Sequence, residues 1–354
     1  MQRIAEHKLT EGLTMYAKNA WYVAAWSSDL AQAKPYAMQV LGEPIVLYRP
    51  ASGGVVALAD RCVHRMAPLS LGRCEGDKLR CMYHGLLFAP DGSVVEVPGQ
   101  DKIPPQARVR SYPVVEQASW IWVWMGDADQ ADVALIPPAI GPDHPDYIMG
   151  HGYLDYAAEA RLINDNLLDF SHLSYVHANS FQAGPEFAQS LPKLETLARG
   201  VRVSRWMPGA AAPVGREAEG PRDVYMSYDF LVPGVLLMWN GSFPEGTAAA
   251  CNFGAPDFAT ATSGVTFTSQ AVTPMTAETS RYFFCWGPHR DHGDETLRDQ
   301  LMGLAGMAFG EDKVMIEAQH KVIANAANPS IMPTAHDKGV TIFNRLVERM
   351  ARDD

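Results

Sequence analysis

The alternation of apolar and polar residues divides the chain into an N-terminal part rich in short strands and a C-terminal part of mixed character. From Met15 to about Asp127, short β-branched or aromatic runs are bounded by Gly, Pro and Asp, as is typical of strands joined by tight turns. Asp91–Gly92 separates two of these runs and predicts a hairpin turn. The pattern therefore predicts a small all-β domain in this part of the chain.

Beyond about Gly150 the pattern combines strand-like runs with longer helical segments. We predict a helical segment around residues 158–177, several strands between about 198 and 287, and a long helix from about Asp294 to Asn325. One antiparallel sheet accompanied by helices is an α+β arrangement.

The Pro-rich stretch Ile136–Tyr147 predicts the crossing between two domains, and a length of 354 residues also favours two domains. The predicted division is a polar extension at 1–14, an all-β domain at 15–128, a linker at 129–149 and a second domain at 150–354.

Composition limits the partners and the compartment. The formal net charge of −11 argues against a nucleic-acid-binding protein, which needs basic patches. The first fifteen residues contain no apolar run like the core of a signal peptide, and the apolar stretch around Leu231–Trp239 is too short to span a bilayer. We therefore expect a cytoplasmic protein without a nucleic-acid or membrane partner. In that compartment Cys74, Cys251 and Cys285 are expected to remain free thiols.

Four residues of the first domain form a metal-ligand pattern: Cys62 and His64, then sixteen residues, then Cys81 and His84. Thiolates suit ferric iron bridged by sulfide, and imidazoles suit an iron that is easily reduced. The pattern predicts a Rieske-type [2Fe–2S] cluster with the two cysteines on one iron and the two histidines on the other. A structural zinc site is the alternative, although zinc sites usually group like ligands in each short pair.

A second metal pattern lies in the predicted helical segment, where Asp169, His172 and His177 read D-x2-H-x4-H. Two imidazoles and one carboxylate form the facial triad of non-haem Fe(II) enzymes, which leaves coordination positions open. His172 and His177 are separated by about 140° on an ideal helix, so both reach one metal only if the helix distorts or ends there. Asp169 supplies the carboxylate unless another acid of the chain does so.

The segment Arg61–Phe88 resembles the cluster-binding region of the Rieske non-haem iron oxygenases, and Asn19–Trp26 resembles the start of their aromatic O-demethylase branch. The resemblance implies an N-terminal Rieske domain followed by a helix-grip catalytic domain, in which a sheet and a helix enclose the substrate pocket. It covers most of the chain and is weak between about 180 and 290.

The same resemblance assigns roles in the second domain. The segment Gly310–Gln319 resembles the place where the family supplies its third iron ligand, which implies Asp312, with Glu311 and Glu317 as the competitors. Asp169 then takes the family's bridging role between a cluster histidine, here His84, and the iron ligand His172.

In the family this bridge crosses a subunit boundary within a head-to-tail trimer, so the resemblance implies a homotrimer. Asn166 is expected either near the iron, as in the family, or as a helix-surface amide.

The implied activity is that of the oxygenase component of a monooxygenase system. It uses a Rieske cluster, a mononuclear non-haem Fe(II) and O2 as co-substrate. A G-x-G-x-x-G motif opening a βαβ unit is missing from the sequence, so NAD(P)H is expected to act indirectly through a reductase or ferredoxin component.

The branch resemblance implies O-demethylation of a small aromatic substrate, a methoxybenzoate-type compound, with release of formaldehyde. The alternatives are another Rieske oxygenase reaction (aryl methyl hydroxylation, N-demethylation or ring dihydroxylation) and a pure electron carrier.

Overall fold

The computed structural model describes residues 13, 15–181, 184–210 and 220–353. The predicted polar extension therefore lies outside the described residues apart from Leu13. The chain divides into two compact units between Pro137 and Pro138, within the Pro-rich stretch. The first unit also includes Thr273–Ser280 and the end of the chain from Glu348, and the second comprises Pro138–Val272 and Arg281–Val347.

The first unit contains three small β-sheets, with the strand orders β1-β11-β10, β2-β3-β4-β9 and β5-β6-β7-β8. The strands are β1 Trp21–Trp26, β2 Tyr36–Val40, β3 Glu43–Tyr48, β4 Val56–Ala59, β5 Arg73–Glu75, β6 Lys78–Arg80, β7 Leu87–Phe88, β8 Val94–Glu96, β9 Ser111–Tyr112, β10 Val114–Gln117 and β11 Trp120–Trp124.

The core of this unit forms where β1 pairs with β11, because every residue of both strands is buried. The rings of Trp21 and Trp124 lie 5.4 Å apart, and those of Trp26 and Trp120 lie 5.2 Å apart. Such aromatic pairs add to the apolar area that both strands bury. In the β5–β8 sheet, the β7–β8 hairpin confirms the predicted turn, with Gly92 at φ +82°.

The second unit is built on a seven-stranded sheet with the order β12-β18-β17-β16-β15-β14-β13. Its strands are β12 Gly150–Tyr156, β13 Lys193–Leu197, β14 Gly200–Ala210, β15 Arg222–Leu231, β16 Val235–Pro244, β17 Ser263–Pro274 and β18 Ser280–Pro288. Neighbouring strands from β13 to β17 pair antiparallel, with shifts in register between Met207 and Ala210 and between Asn240 and Ser242.

Helices accompany this sheet and make the α+β class a confirmed prediction. They are α1 Ala160–Leu168, α2 Leu173–Val176, α3 Glu186–Gln189, α4 Thr247–Ala250, α5 Glu295–Asn325 and α6 Lys338–Asp353. The 31-residue helix α5 begins as predicted, because the Asp294 side chain accepts a hydrogen bond from the Leu297 N–H at its N-terminus. None of the helices in the described ranges has the length and apolar composition needed to cross a membrane.

Candidate metal centres

The predicted cluster ligands lie on two loops of the first unit that repeat one backbone design. We call Cys62–Ala67 and Cys81–Leu86 the cluster loops. In each loop the cysteine N–H donates to the carbonyl five residues later, with N···O distances of 2.8 and 2.9 Å. The cysteine carbonyl in turn accepts from the N–H four residues later, at 2.9 and 3.0 Å. Each loop therefore closes on its own cysteine.

The fourth residue after each cysteine has a left-handed backbone conformation: Gly85 has φ +77° and Met66 has φ +58°. Glycine adopts this conformation without steric cost, whereas methionine does not. The sequence signals the turn at Gly85 but not the equivalent turn at Met66.

Burial separates the four ligands into an inner pair and an outer pair. Cys62 and Cys81 are buried and their thiols are within hydrogen-bonding contact, while burial raises the pKa of the Cys62 thiol. His64 and His84 are exposed, and their ring centroids lie 4.5 Å apart. The two thiols and the two imidazoles are thus grouped by type, as a [2Fe–2S] cluster with a sulfur-bound inner iron and a histidine-bound outer iron requires.

Polar side chains fix both loops to the unit. The Asp60 carboxylate accepts from the Ser70 N–H and hydroxyl at 2.7 and 2.6 Å, which bridges the first cluster loop. Arg80 donates to the Gly85 carbonyl at 2.7 Å in the second loop and also contacts Glu75 and Glu96. Hydrogen bonds from Arg80, and then from Arg73, lower the pKa of Glu75 to about 2, so these contacts are between ionised groups at neutral pH.

The helical segment of the second unit is broken where the sequence requires a break. Helix α1 ends at Leu168, and Asp169 adopts an extended backbone with φ −123° and ψ 92°. A single 3-10 turn, Phe170–His172, leads into the four-residue α2, after which His177 leaves the helical conformation. In an unbroken helix His172 and His177 would point about 140° apart. The break brings the two rings together, with their centroids 5.2 Å apart.

Helix α5 brings Asp312 to the two histidines from far along the chain. Its Oδ1 lies 3.5 Å from the His172 Nε2 and 3.3 Å from the His177 Nε2. The candidate ligand atoms of His172, His177 and Asp312 all lie within 4.8 Å of one another. Two imidazoles and one carboxylate at this separation match the donor set of a non-haem iron site, and we call these residues the facial group.

Hydrogen bonds fix the orientation of both rings in the facial group. The His172 Nδ1–H donates to the Asp169 carbonyl oxygen at 2.6 Å, because a carbonyl oxygen can only accept. The His177 Nδ1 lies 2.9 Å from the Glu311 Oε2, a carboxylate oxygen that likewise accepts. Both Nε2 atoms therefore face Asp312, and they are the ring nitrogens that would bind a metal at this site.

The environments of the two imidazoles differ in charge. Burial lowers the pKa of His172, although Asp312 opposes this shift. Burial also acts to lower the pKa of His177, but hydrogen bonds to Asp312 and Glu311 outweigh it, so this pKa is raised. A carboxylate therefore lies on each side of the His177 ring.

The structure also places the remaining residues singled out in the sequence. Asn166 lies within the site, since its Nδ2 donates to the Asp312 Oδ1 at 3.2 Å and lies 3.4 Å from the His172 Nε2. Glu317 accepts from the Ala157 N–H at 2.9 Å, which is a structural contact outside the facial group.

Asp169 contacts His172 through its backbone carbonyl, while its side chain accepts from the Ser171 N–H at 2.9 Å. A further neighbour, His336, had no signal in the sequence, and its Nδ1 lies 3.9 Å from the Asp169 Oδ1. The His336 Nε2 donates to the Ala188 carbonyl at 3.1 Å and so holds the ring beside Asp169.

A cavity of about 290 Å³ extends from the facial group over the sheet. Its lining is mostly apolar and includes the aromatic residues Phe181, Trp286 and Phe309. Its polar lining residues include Asn240 and Thr266, which are paired across β16 and β17. A cavity of this size and character suits a small aromatic molecule.

Comparison with known families accounts for both units. Residues 20–113 match the Rieske [2Fe-2S] domain, and residues 156–353 match the vanillate O-demethylase oxygenase C-terminal domain. These matches favour an iron–sulfur cluster over the structural zinc alternative, and an oxygenase over a pure electron carrier.

Full-length relatives and a solved structure agree with these matches. The iron-sulfur subunit of a toluene-4-sulfonate monooxygenase system from Comamonas testosteroni is 39% identical over 96% of this chain and 98% of its own length. A vanillate O-demethylase oxygenase subunit from a Pseudomonas strain is 33% identical over 95% of each chain. The crystal structure of dicamba monooxygenase with non-heme iron and dicamba superposes with a TM-score of 0.76 at 28% identity, covering 95% of this chain and 97% of that one.

Proposed function

Because the chain belongs to the Rieske non-haem iron oxygenases, we propose that it is the oxygenase component of a system that hydroxylates a methyl carbon of a small aromatic substrate. The observation that carries the proposal is the facial group, whose ligand atoms lie within 4.8 Å of one another at the end of a mostly apolar cavity.

Four side chains would hold the cluster and three the mononuclear iron. The paired thiols of Cys62 and Cys81 and the paired imidazoles of His64 and His84 fit a [2Fe–2S] cluster. His172, His177 and Asp312 fit a facial iron site. When bound, the cluster supplies electrons one at a time, and the mononuclear iron activates O2 beside the substrate.

The protein's own contribution is to bind the substrate in a mostly apolar cavity and to orient its methyl group toward the facial group. The rings of Phe181 and Phe309 offer apolar contact area, and the Asn240 amide and the Thr266 hydroxyl offer hydrogen bonds to a substrate in the cavity. Exclusion of water protects reactive species from side reactions.

One form of the reaction is O-demethylation of a methoxybenzoate-type compound. One oxygen atom of O2 enters a methyl C–H bond, and the other leaves as water with two protons and two electrons from a reductase or ferredoxin component. The resulting hemiacetal breaks its C–O bond to give a phenol and formaldehyde. The vanillate O-demethylase relative supports this form.

A second form is hydroxylation of a methyl group attached directly to the ring. It requires the same two electrons and two protons but yields a stable aromatic alcohol instead of formaldehyde. Toluene-4-sulfonate carries such a methyl group. This chain is 39% identical to the toluene-4-sulfonate monooxygenase subunit and 33% identical to the vanillate O-demethylase subunit, which favours this form.

We also propose that the cluster of one subunit serves the iron of its neighbour in a homotrimer, through Asp169 and His84. The exposed cluster histidines support such a contact, because they are surrounded by exposed apolar side chains. Met66, Met82 and Tyr83 are 63%, 54% and 61% exposed in the single chain. Analytical ultracentrifugation tests the trimer, and Tyr83→Asp is expected to weaken it.

The activity is tested with purified protein, a surrogate reductase, NADH and a panel of matched methoxy- and methyl-substituted aromatic acids. We expect a rhombic EPR signal on reduction, together with oxygen uptake coupled to product. Formaldehyde release identifies O-demethylation, and a benzylic alcohol identifies methyl hydroxylation. His172→Ala is the control that keeps the cluster signal and loses product. Ring dihydroxylation of the whole panel would contradict the proposal.

A further inference from the structure

We propose that Glu311 is a positioning residue that fixes the proton on His177 Nδ1 and presents His177 Nε2 to the iron. The inference rests on the proposed iron site and adds to it a fourth side chain, one that does not touch the metal. The family resemblance implied a different place for Glu311, as a competitor of Asp312 for the third ligand position.

The contacts of His177 explain why the adjacent residues Glu311 and Asp312 have different roles. Asp312 and Glu311 follow one another on α5, and each approaches a different nitrogen of the same ring. The Asp312 Oδ1 lies 3.3 Å from Nε2, and the Glu311 Oε2 lies 2.9 Å from Nδ1. Since the ring is almost completely buried, these two carboxylates determine which nitrogen carries the proton.

Glu311 is itself held in place. The Ser180 hydroxyl donates to the same Oε2 at 2.6 Å, from the turn that follows α2. Two donors, the Nδ1–H of His177 and the Ser180 hydroxyl, therefore meet one carboxylate oxygen. This arrangement connects α5 to the segment carrying both histidines, so the carboxylate is pre-organised before a metal binds.

The partner of His172 gives a comparison inside the same site. Its Nδ1–H donates to a neutral backbone carbonyl, whereas that of His177 donates to an anionic side chain. A carboxylate partner makes an imidazole a stronger metal ligand, and removing such a partner typically weakens metal affinity by about 10- to 100-fold. Iron retention is therefore expected to depend on the side chain at 311, while no side chain performs this task for His172.

The experiment measures iron affinity by chelator competition in Glu311→Ala, Glu311→Gln and Ser180→Ala. We expect the iron Kd to rise about 10- to 100-fold in Glu311→Ala. It should rise less in Glu311→Gln, whose amide oxygen still accepts the Nδ1–H, and least in Ser180→Ala. Nitric oxide added to the Fe(II) proteins gives a second readout, because the EPR line shape of its adduct reports a reoriented His177. Visible absorbance of the cluster checks that each variant is folded.

Glu295→Gln is the matched control, because Glu295 is an exposed acid in the first turn of the same helix. It should leave both the iron Kd and the nitric oxide spectrum unchanged. If Glu311→Ala gave the wild-type Kd and spectrum, the positioning role would be overturned. If Glu311→Ala did not fold, Glu311→Leu, which fills the space but offers no acceptor for the Nδ1–H, decides by the same spectrum, and a wild-type result there overturns the role.

Asp312→Ala separates this inference from the function on which it rests. Wild-type protein without an iron-binding site would overturn the proposed function together with the inference. Iron bound by the wild type, lost in Asp312→Ala and fully retained in Glu311→Ala would overturn the role of Glu311 alone.

Discussion

The cluster loops and the facial group share histidine among their proposed metal ligands but place these ligands in opposite surroundings. In the first unit the outer ligands His64 and His84 are exposed on short loops. In the second unit His177 and Asp312 are buried, and they come from segments separated by most of the seven-stranded sheet. The difference teaches that a site that receives electrons needs ligands exposed to a partner protein. A site that activates O2 needs to be buried, and distant segments of the chain have to pack together to bury it.

The largest expected effects come from removing one ligand of either centre. Cys81→Ala is expected to abolish the visible absorbance and EPR signal of the cluster while iron remains at the facial group. Asp312→Ala is expected to lose the iron of the facial group while the absorbance and EPR signal of the cluster remain. Both should reduce product formation to the level of a reaction without the protein. Metal analysis and EPR check the separation, and loss of both metals in either single variant would contradict two independently built sites.

Asp169→Asn tests the route between the centres rather than either centre. The His172 ring is held by the Asp169 backbone carbonyl, which this substitution keeps, so both metals should be retained. Turnover should fall by about 10- to 100-fold, the range for a lost partner of a metal ligand. Single-turnover oxidation of the cluster measures the effect. His336→Gln is the comparison variant, because it changes a neighbour of Asp169 and keeps Asp169 itself. Full activity in Asp169→Asn would rule out the bridging role.

Gly85→Ala tests how far the cluster loops depend on backbone geometry alone. An added Cβ at this left-handed residue would lie 2.8 Å from the Pro98 Cγ. The matched control is Gly76→Ala, which shares a left-handed φ of +62° but would meet nothing within 4 Å. We expect the control to lose about 1–2 kcal/mol of unfolding free energy. Gly85→Ala should lose more, together with part of its cluster absorbance, as denaturant unfolding and spectroscopy will show.

Much of the contrast between the cluster loops and the facial group was predictable from the sequence. The cluster ligands lie within 23 residues of one another, so local spacing alone indicated their chemistry, and the His172–His177 spacing required the observed break in the helix. The role of Asp312 needed family resemblance, because no local pattern connects it to residues more than a hundred positions earlier. The contact of Glu311 with His177 and that of His336 with Asp169 could not be predicted, because they depend on tertiary packing.

The smallest effect on the two centres is expected at Asp165, whose carboxylate accepts from the Asn344 amide at 2.9 Å and whose substitution tests pH-dependent stability alone. Burial raises its pKa to about 6, in contrast to the lowered pKa of Glu75 in the first unit. The folded protein therefore binds this proton more tightly than the unfolded chain, and the contribution of Asp165 to stability is lost as pH rises from about 4 to about 6.

Asp165→Asn should remove this dependence and stabilise the protein at pH 7 by at most about 3 kcal/mol. Denaturant unfolding of both proteins between pH 4 and 8 measures the difference. Asp299→Asn, at an exposed position, is the control and should leave the pH dependence unchanged. If the difference in unfolding free energy between wild type and Asp165→Asn stayed constant from pH 4 to 8, the raised pKa of Asp165 would be contradicted.

The position of Asp312 on α5 also sets an order for biosynthesis. All four cluster ligands lie within the first quarter of the chain, so both cluster loops can close while the rest is still being translated. The facial group is complete only after the sheet strands and most of α5 have left the ribosome. Cluster insertion can therefore precede iron loading, because the cluster ligands leave the ribosome before the facial group is complete.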